Sequence, residues 1–146
     1  MKIVKAQKKI AHLKGEIKEL RERAKNCVCT LKGNSPYLAG DFSAIMAVIF
    51  KKVEELISLK TRIIKINVEK GVFEKIATLG ELRSQVVFLR ELDIKEGIVA
   101  KDYQENSREY VSQLSEAQKN EMIEETQKKI ETLMEELDDF NAEHSI

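Results

Sequence analysis

The chain has 146 residues, a length typical of one domain with its own core, and we therefore expect residues 1–146 to form a single domain. Of these residues 34% are charged, but 25 basic and 25 acidic side chains give a net charge of zero, which disfavours a dedicated nucleic-acid binder. One proline among many good helix formers excludes a loop-rich chain and favours an all-α protein.

A first helix is predicted over residues 3–27. Its apolar residues alternate spacings of three and four, which is the heptad pattern of a coiled-coil seam. An ordinary bundle helix and an intermolecular coiled coil would both show this pattern. The seam consists of Ile3, Ala6, Ile10, Leu13, Ile17, Leu20, Ala24 and Cys27.

A second helix is predicted over residues 42–66. The preceding segment contains Gly33, Pro36 and Gly40, which a helix does not cross, and Asp41 or Ser43 is then the expected N-cap. One broad face of this helix is apolar, and we expect its large residues to fill the core. They are Phe42, Ile45, Met46, Ile49, Phe50, Val53, Leu56 and Ile57.

The stretch AIMAVIF, residues 44–50, is apolar almost all round the helix. Ala44, Ala47 and Val48 fall on the side away from the predicted core. Since a helix that is apolar on every side is normally buried on several sides, these three residues are the expected contact with a second copy. Seven apolar residues are far short of the roughly 20 that a spanning helix needs.

Residues 67–77 break the helical period around Gly71, which leaves an extended conformation open for this segment. Thr78 and Glu81 then form a capping-box pattern, which predicts a third helix over 79–96 ending near Gly97. The residues expected to face inward are Leu79, Leu82, Val86 and Leu89.

Residues 98–114 combine β-branched and tyrosine side chains around a polar centre, which is consistent with a short hairpin. Ser115 and Gln118 form a second capping box before a fourth helix over 116–141. The fold class predicted from these elements is an elongated antiparallel bundle of about four helices with coiled-coil-like seams. The seam of the fourth helix is Ile123, Thr126, Ile130, Leu133, Leu137 and Phe140.

The two ends of the chain have opposite charge. Residues 1–32 contain ten Lys/Arg and three Asp/Glu, a net charge of +7, and residues 115–146 contain three and ten, a net charge of −7. We interpret these ends as solvated faces, because the acids of the fourth helix lie away from its seam. An anionic partner for the basic helix, such as a lipid surface or nucleic acid, is the alternative.

No catalytic, cofactor-binding or metal-binding residues are expected. Cys27 and Cys29 offer two metal ligands without a second pair, and His12 and His144 are distant in the sequence. His12 lies about four turns from Cys27 on the same helix, too far to activate the thiol. With neither a targeting signal nor a disulfide framework, the sequence predicts a cytoplasmic protein that is not an enzyme.

The stretches RIIKIN at residues 62–67 and TLGEL at 78–82, separated by Gly71, resemble a family of small bacterial helical proteins of unknown function, some described as septicolysin-like. The family combines a long N-terminal heptad helix, a glycine-containing connection and a final helix closing on Leu-Asp and Asn. This chain departs from the pattern at Arg83, which is followed by Ser84 and not by aspartate. The matching positions are Arg62, Ile63, Asn67, Thr78, Leu79, Glu81, Leu137, Asp138 and Asn141.

The resemblance implies a helical fold, and the family name implies a cytolysin-like activity; it carries over no catalytic residue. Arg62 and Asn67 are interpreted as positions that fix a helix end and its loop. The sequence as a whole favours a non-enzymatic helical scaffold or protein–protein interaction module that forms a homodimer or another homo-oligomer. A lipid-active protein and a chaperone-like or nucleic-acid-associated protein are the alternatives.

Overall fold

The structure is a computed structural model that describes residues 1–34, 40–100 and 107–146. The described residues form four helices and one two-stranded antiparallel sheet, so the all-α prediction and the small hairpin between the last two helices are confirmed. In chain order the elements are α1 (Ile3–Cys27), α2 (Phe42–Glu69), α3 (Phe73–Glu91), β1 (Gly97–Ala100), β2 (Ser107–Tyr110) and α4 (Glu116–Glu143).

The chain divides into two compact units. The first comprises Met1–Phe73 with Asp139–Ile146, and the second comprises Glu74–Asp138. The single domain expected from the length stays a prediction.

In the first unit, the heptad seam of α1 packs against α2 of the same chain. Ala24 and Cys27 form a buried cluster with Ile45 and Ile49, and partly buried Leu20, Met46 and Val53 pack around it. Near its start, Lys9 of α1 pairs with Glu55, whereas near its end α1 contacts Ile45 and Ile49, at the start of α2. The two helices are therefore antiparallel. The seam is therefore an intramolecular one. Its buried members are Ile3, Ala6, Leu13, Ile17, Ala24 and Cys27.

Two ion pairs flank this helix pair. The Lys9 ammonium lies 2.5 Å from the Glu55 carboxylate, and the Lys52 ammonium lies 3.0 Å from that of Glu16. The hydrogen bond from Lys9 is the main reason why the pKa of Glu55 lies below its ordinary value. From Lys9 to Glu16 the residue number rises on α1, while the partner on α2 falls from Glu55 to Lys52, which fits the antiparallel register.

The second helix extends beyond the predicted end at residue 66, to Glu69, and the extended conformation that the sequence left open for 67–77 is not adopted. Gly71 adopts φ of 68°, its amide donates to the Val68 carbonyl, and the Val72 amide donates to the Asn67 carbonyl 2.8 Å away. These two bonds are the pattern of a Schellman motif, which satisfies carbonyls of the last turn. The break in periodicity was thus a three-residue turn between two helices.

The third helix begins at Phe73 and ends at Glu91, so the predicted bounds 79–96 are wrong at both ends. Thr78 lies inside the helix, where its hydroxyl donates to the Glu74 carbonyl, so it does not act as an N-cap. At the other end, the Lys119 ammonium donates to the Leu92 carbonyl at 2.7 Å and to the Arg90 carbonyl at 3.3 Å. A lysine placed there satisfies carbonyls near the helix terminus and complements its dipole.

In the second unit, α3 and α4 are linked by long side chains. The Lys75 ammonium lies 2.6 Å from the Glu136 carboxylate, while Lys119 reaches the end of α3, so the helices are antiparallel. The predicted capping box of α4 is present, because the Ser115 hydroxyl accepts from the Gln118 amide and the Gln118 side chain accepts from the Ser115 amide. Leu79, Val86 and Leu89 are buried as predicted, whereas the seam residues of α4 are only half-buried.

Candidate functional site

The second helix carries an exposed apolar row, which we call the α2 stripe. It consists of Phe50, Ile57, Ile64 and Val68, whose side chains are 63%, 57%, 56% and 60% exposed. The first three are spaced seven residues apart, nearly two turns, and Val68 lies one turn further, so all four point to one side of the helix. Over 18 residues the row is about 27 Å long.

The position of the stripe corrects the prediction that Phe50 and Ile57 fill the core. The apolar face of α2 is wider than one helix can cover, and α1 covers only the sector that contains Ile45 and Ile49. Phe50 and Ile57 lie roughly a quarter-turn or more around the helix from that sector. Phe42, also predicted in the core, is 40% exposed although it lies on the same side of α2 as Ile49, because it is the first residue of the helix.

The stripe borders an apolar groove of about 450 Å³ between the end of α1 and the start of α2. Phe50 belongs to both the stripe and the groove, so the exposed apolar surface continues from one to the other. Two basic residues of α1, Arg21 and Lys25, line the α1 edge of the groove. The groove is lined by Arg21, Ala24, Lys25, Val28, Phe42, Met46, Ile49, Phe50 and Val53.

Two exposed charges of opposite sign lie beside the stripe. Glu54 and Lys65 are 11 residues apart, about three turns, and therefore lie on the same flank. Neither side chain forms an ion pair within the described ranges 1–34, 40–100 and 107–146. On the other flank, Lys60 is exposed near the middle of the stripe.

The residues expected to contact a second copy are also exposed. Ala44 and Ala47 lie at the surface and Val48 is 44% exposed. Val48 and Ile57 are nine positions apart, about two and a half turns, so Val48 faces away from the stripe. The chain therefore offers two different sides of α2 for association, and the contact predicted at these three residues stays a prediction.

Arg62 and Asn67 lie in the last turns of α2. Arg62 is exposed, and the backbone carbonyl of Asn67 accepts the Val72 amide that closes the Schellman motif. The Asn67 side-chain oxygen is buried and has no hydrogen-bond partner among the described residues. The sequence identified Asn67 as part of the helix end, but the contact is made by its main chain.

The cysteine and histidine side chains, which could act in catalysis or metal binding, lie apart from one another. Cys27 is buried, with its thiol directed at the Ala24 carbonyl, and Cys29 is exposed. The exposed His12 lies near Glu16, and the His144 ring stacks on Phe140. Within the part of the chain that the structure describes, no three His, Cys, Asp or Glu side chains converge to hold a metal ion.

None of the described helices combines the length and the apolar character needed to cross a bilayer. Comparison of the chain with protein families, curated proteins and solved structures finds no match. Over the described residues the fold is one of four helices with an exposed apolar helix face, and the resemblance to the septicolysin-like family stays untested.

Proposed function

We propose that this protein is a non-enzymatic helical interaction module of the cytoplasm that self-associates through the α2 stripe. The observation that carries the proposal is the row of four large apolar side chains, each more than half exposed, on one side of a regular helix. Contiguous exposed apolar surface of this kind marks interaction sites in soluble proteins. A second copy presents the same row and can cover it by symmetry.

The area of the stripe suits a dimer. The four side chains expose about 400 Å² in total if a large apolar side chain has on the order of 150–250 Å² of surface. Two copies would then bury about 800 Å² of apolar area, roughly half of a standard interface. The half-buried Met46 and Val53 beside the stripe, together with the polar flanks, supply further contact area.

The energetic balance is also favourable. Burial of about 800 Å² contributes about 20 kcal/mol at 25 cal/mol per Å². Association costs roughly 4–15 kcal/mol in lost motion, with further losses from side-chain ordering. The remainder is compatible with a dissociation constant near the micromolar range.

The test is the molar mass in solution of the wild type, Ile57→Glu and Val48→Glu. Light scattering coupled to size-exclusion chromatography at two protein concentrations should give a dimer for the wild type. Ile57→Glu places a charge in the middle of the stripe and should give a monomer with an unchanged helical circular dichroism spectrum. Val48→Glu places the same charge on the opposite side and should leave the dimer intact.

Two outcomes would contradict the proposed surface. A dimer that survives Ile57→Glu but is split by Val48→Glu would place the contact at Ala44, Ala47 and Val48. A wild-type monomer at about 100 µM would refute self-association at the strength estimated from the buried area. Leakage of dye from anionic vesicles by that monomer would support the lipid-active alternative.

A further inference from the structure

We infer that two copies pair through α2 in an antiparallel orientation, with Glu54 of each copy opposite Lys65 of the other. This inference rests on the proposed self-association through the α2 stripe. It assigns the partner's orientation and two specific polar contacts to that surface.

The arrangement of apolar residues puts the symmetry axis near the middle of the stripe. Phe50 and Val68 are its ends, and the midpoint between them is position 59. An antiparallel pair with its two-fold axis at that position brings Phe50 of each copy against Val68 of the other. Because Phe50 also lines the groove beside α1, Val68 of the second copy would lie near the mouth of that groove.

The charges select this orientation. Glu54 lies five residues before position 59 and Lys65 six residues after it, on the same flank of the helix. In an antiparallel pair related by a two-fold axis, equal flanks of the two helices face each other. Each Glu54 carboxylate therefore lies opposite the Lys65 ammonium of the other copy, and this contact occurs twice.

A parallel pair would not form these contacts. In a parallel pair related by a two-fold axis, opposite flanks of the two helices face each other, so Glu54 and Lys65 would both face the flank that carries Lys60 of the other copy. There Lys60 would attract Glu54 but repel Lys65, whereas the antiparallel pair has two attractive contacts and opposes like charges only at Lys60, near the axis. Since Glu54 and Lys65 form no ion pair within the described ranges, both charges are available to a second copy.

A charge-reversal cycle measures the orientation. Dissociation constants of the full chain are determined by sedimentation equilibrium for the wild type, Glu54→Lys, Lys65→Glu and the double variant. Each single change replaces two attractive contacts by two repulsive ones and should weaken the dimer roughly tenfold, as expected for exposed pairs. The double variant restores opposite charges and should return to within about twofold of the wild type.

Arg62→Glu is the matched control, because it makes the same change of charge as Lys65→Glu on the side of α2 away from the stripe. It should leave the dissociation constant unchanged. In a parallel dimer both charges would face Lys60 of the other copy, so Lys65→Glu would strengthen association and not weaken it; that result, or wild-type affinity in both single variants, would overturn the antiparallel pairing.

Failure of the inference differs from failure of the proposed function. A dimer that Ile57→Glu splits, but in which the double variant is as weak as the singles, keeps the α2 stripe as the interface and refutes the Glu54–Lys65 contact. A wild-type monomer refutes both. Recovery in the double variant together with an unaffected Arg62→Glu supports the antiparallel arrangement.

Discussion

Gly71 ends α2 through its backbone conformation. Its φ of 68° lies in the left-handed region, and no heavy atom lies within 4 Å of the position where a Cβ would stand. Any effect of a side chain there therefore comes from the backbone and not from crowding. Gly15, inside α1, has equally open surroundings and no positive φ, which makes it a matched reference.

Replacement of these two glycines by alanine should have opposite effects on stability. Gly71→Ala is expected to lower the free energy of unfolding by about 1–2 kcal/mol, because a Cβ is unfavourable in the left-handed region. Gly15→Ala is expected to raise it by about 0.5–1 kcal/mol, because alanine is the better helix former. Urea denaturation followed by circular dichroism measures both, and a stabilised Gly71→Ala would refute the role assigned to the turn.

The pKa of Glu55 depends chiefly on Lys9. The hydrogen bond from Lys9 lowers this pKa most, charge attraction from Lys9, Lys52 and Lys51 adds to it, and partial desolvation opposes it. Because the lowered pKa means that folding favours the carboxylate, its stabilising effect is present above the ordinary glutamate pKa. The effect is lost as the pH falls through the lowered pKa.

Lys9→Met should raise the pKa of Glu55 toward the value of an ordinary glutamate. The change removes both the hydrogen bond and the nearest positive charge but keeps an unbranched side chain at the same position. NMR titration of the Glu55 carboxyl carbon measures the shift. Lys14→Met, at an exposed position of α1 that does not affect this carboxylate, is the control and should leave the pKa unchanged. An equal pKa in all three proteins would mean that the Lys9–Glu55 pair is not formed in solution.

Among the helix ends, the start of α2 shows which of the two candidate N-cap residues, Asp41 or Ser43, caps the helix. The Asp41 carboxylate accepts hydrogen bonds from the amides of Ser43 and Ala44, at 3.0 and 3.3 Å, so Asp41 is the N-cap. Ser43 lies within the first turn and is exposed. The two residues thus have different expected contributions, although their side chains have similar capping propensities.

Asp41→Ala should destabilise the protein by about 1 kcal/mol, because two amides of the first turn lose their acceptor. Ser43→Ala should change the free energy of unfolding by less than about 0.5 kcal/mol, as is usual for an exposed position away from a cap. Urea denaturation of both variants gives the comparison. A larger loss in Ser43→Ala than in Asp41→Ala would assign the cap to the serine.

The helix bounds show which local signals the sequence carries. The limits of α1 and the starts of α2 and α4 agree with the prediction, because heptad spacing and side-chain caps are local patterns. The end of α2 and the start of α3 do not, because a loss of helical periodicity does not distinguish an extended segment from the three-residue turn that Gly71 closes. Thr78 and Glu81 matched a capping box, but the helix had already begun at Phe73. A capping-box pattern of four residues does not show whether a helix has already begun before it.

At the scale of the whole molecule, the sequence predicted the fold class but placed the candidate surface differently. Apolar periodicity identifies the side chains that belong to a helix face, but not the width of the partner that covers that face. The α2 stripe is exposed because α1 covers only one sector of α2 and leaves Phe50 and Ile57 uncovered, a limit that depends on tertiary packing. The continuation of their seven-residue spacing to Ile64 was the signal in the sequence that could have indicated a second face.

Some of the charged side chains of the basic N-terminal helix form ion pairs within the chain. The basic α1 supplies Lys9 to an acid of α2 and also supplies an acid, Glu16, to Lys52. These local pairs depend on individual positions and not on the excess of either sign. The inferred dimer contact at Glu54 and Lys65 follows the same rule, so net charge alone is a poor guide to how this protein would associate.

The first and last residues of the described chain lie side by side. The Ile3 amide donates to the His144 carbonyl at 3.0 Å, and the Ile146 amide donates to the Met1 carbonyl at 2.8 Å. An unfolded chain of this length has a radius of gyration of about 40 Å, so folding brings two distant points into contact. Fluorescent dyes attached at the two positions would therefore exchange energy almost completely in the folded protein. Loss of their signal would report the separation of these two segments.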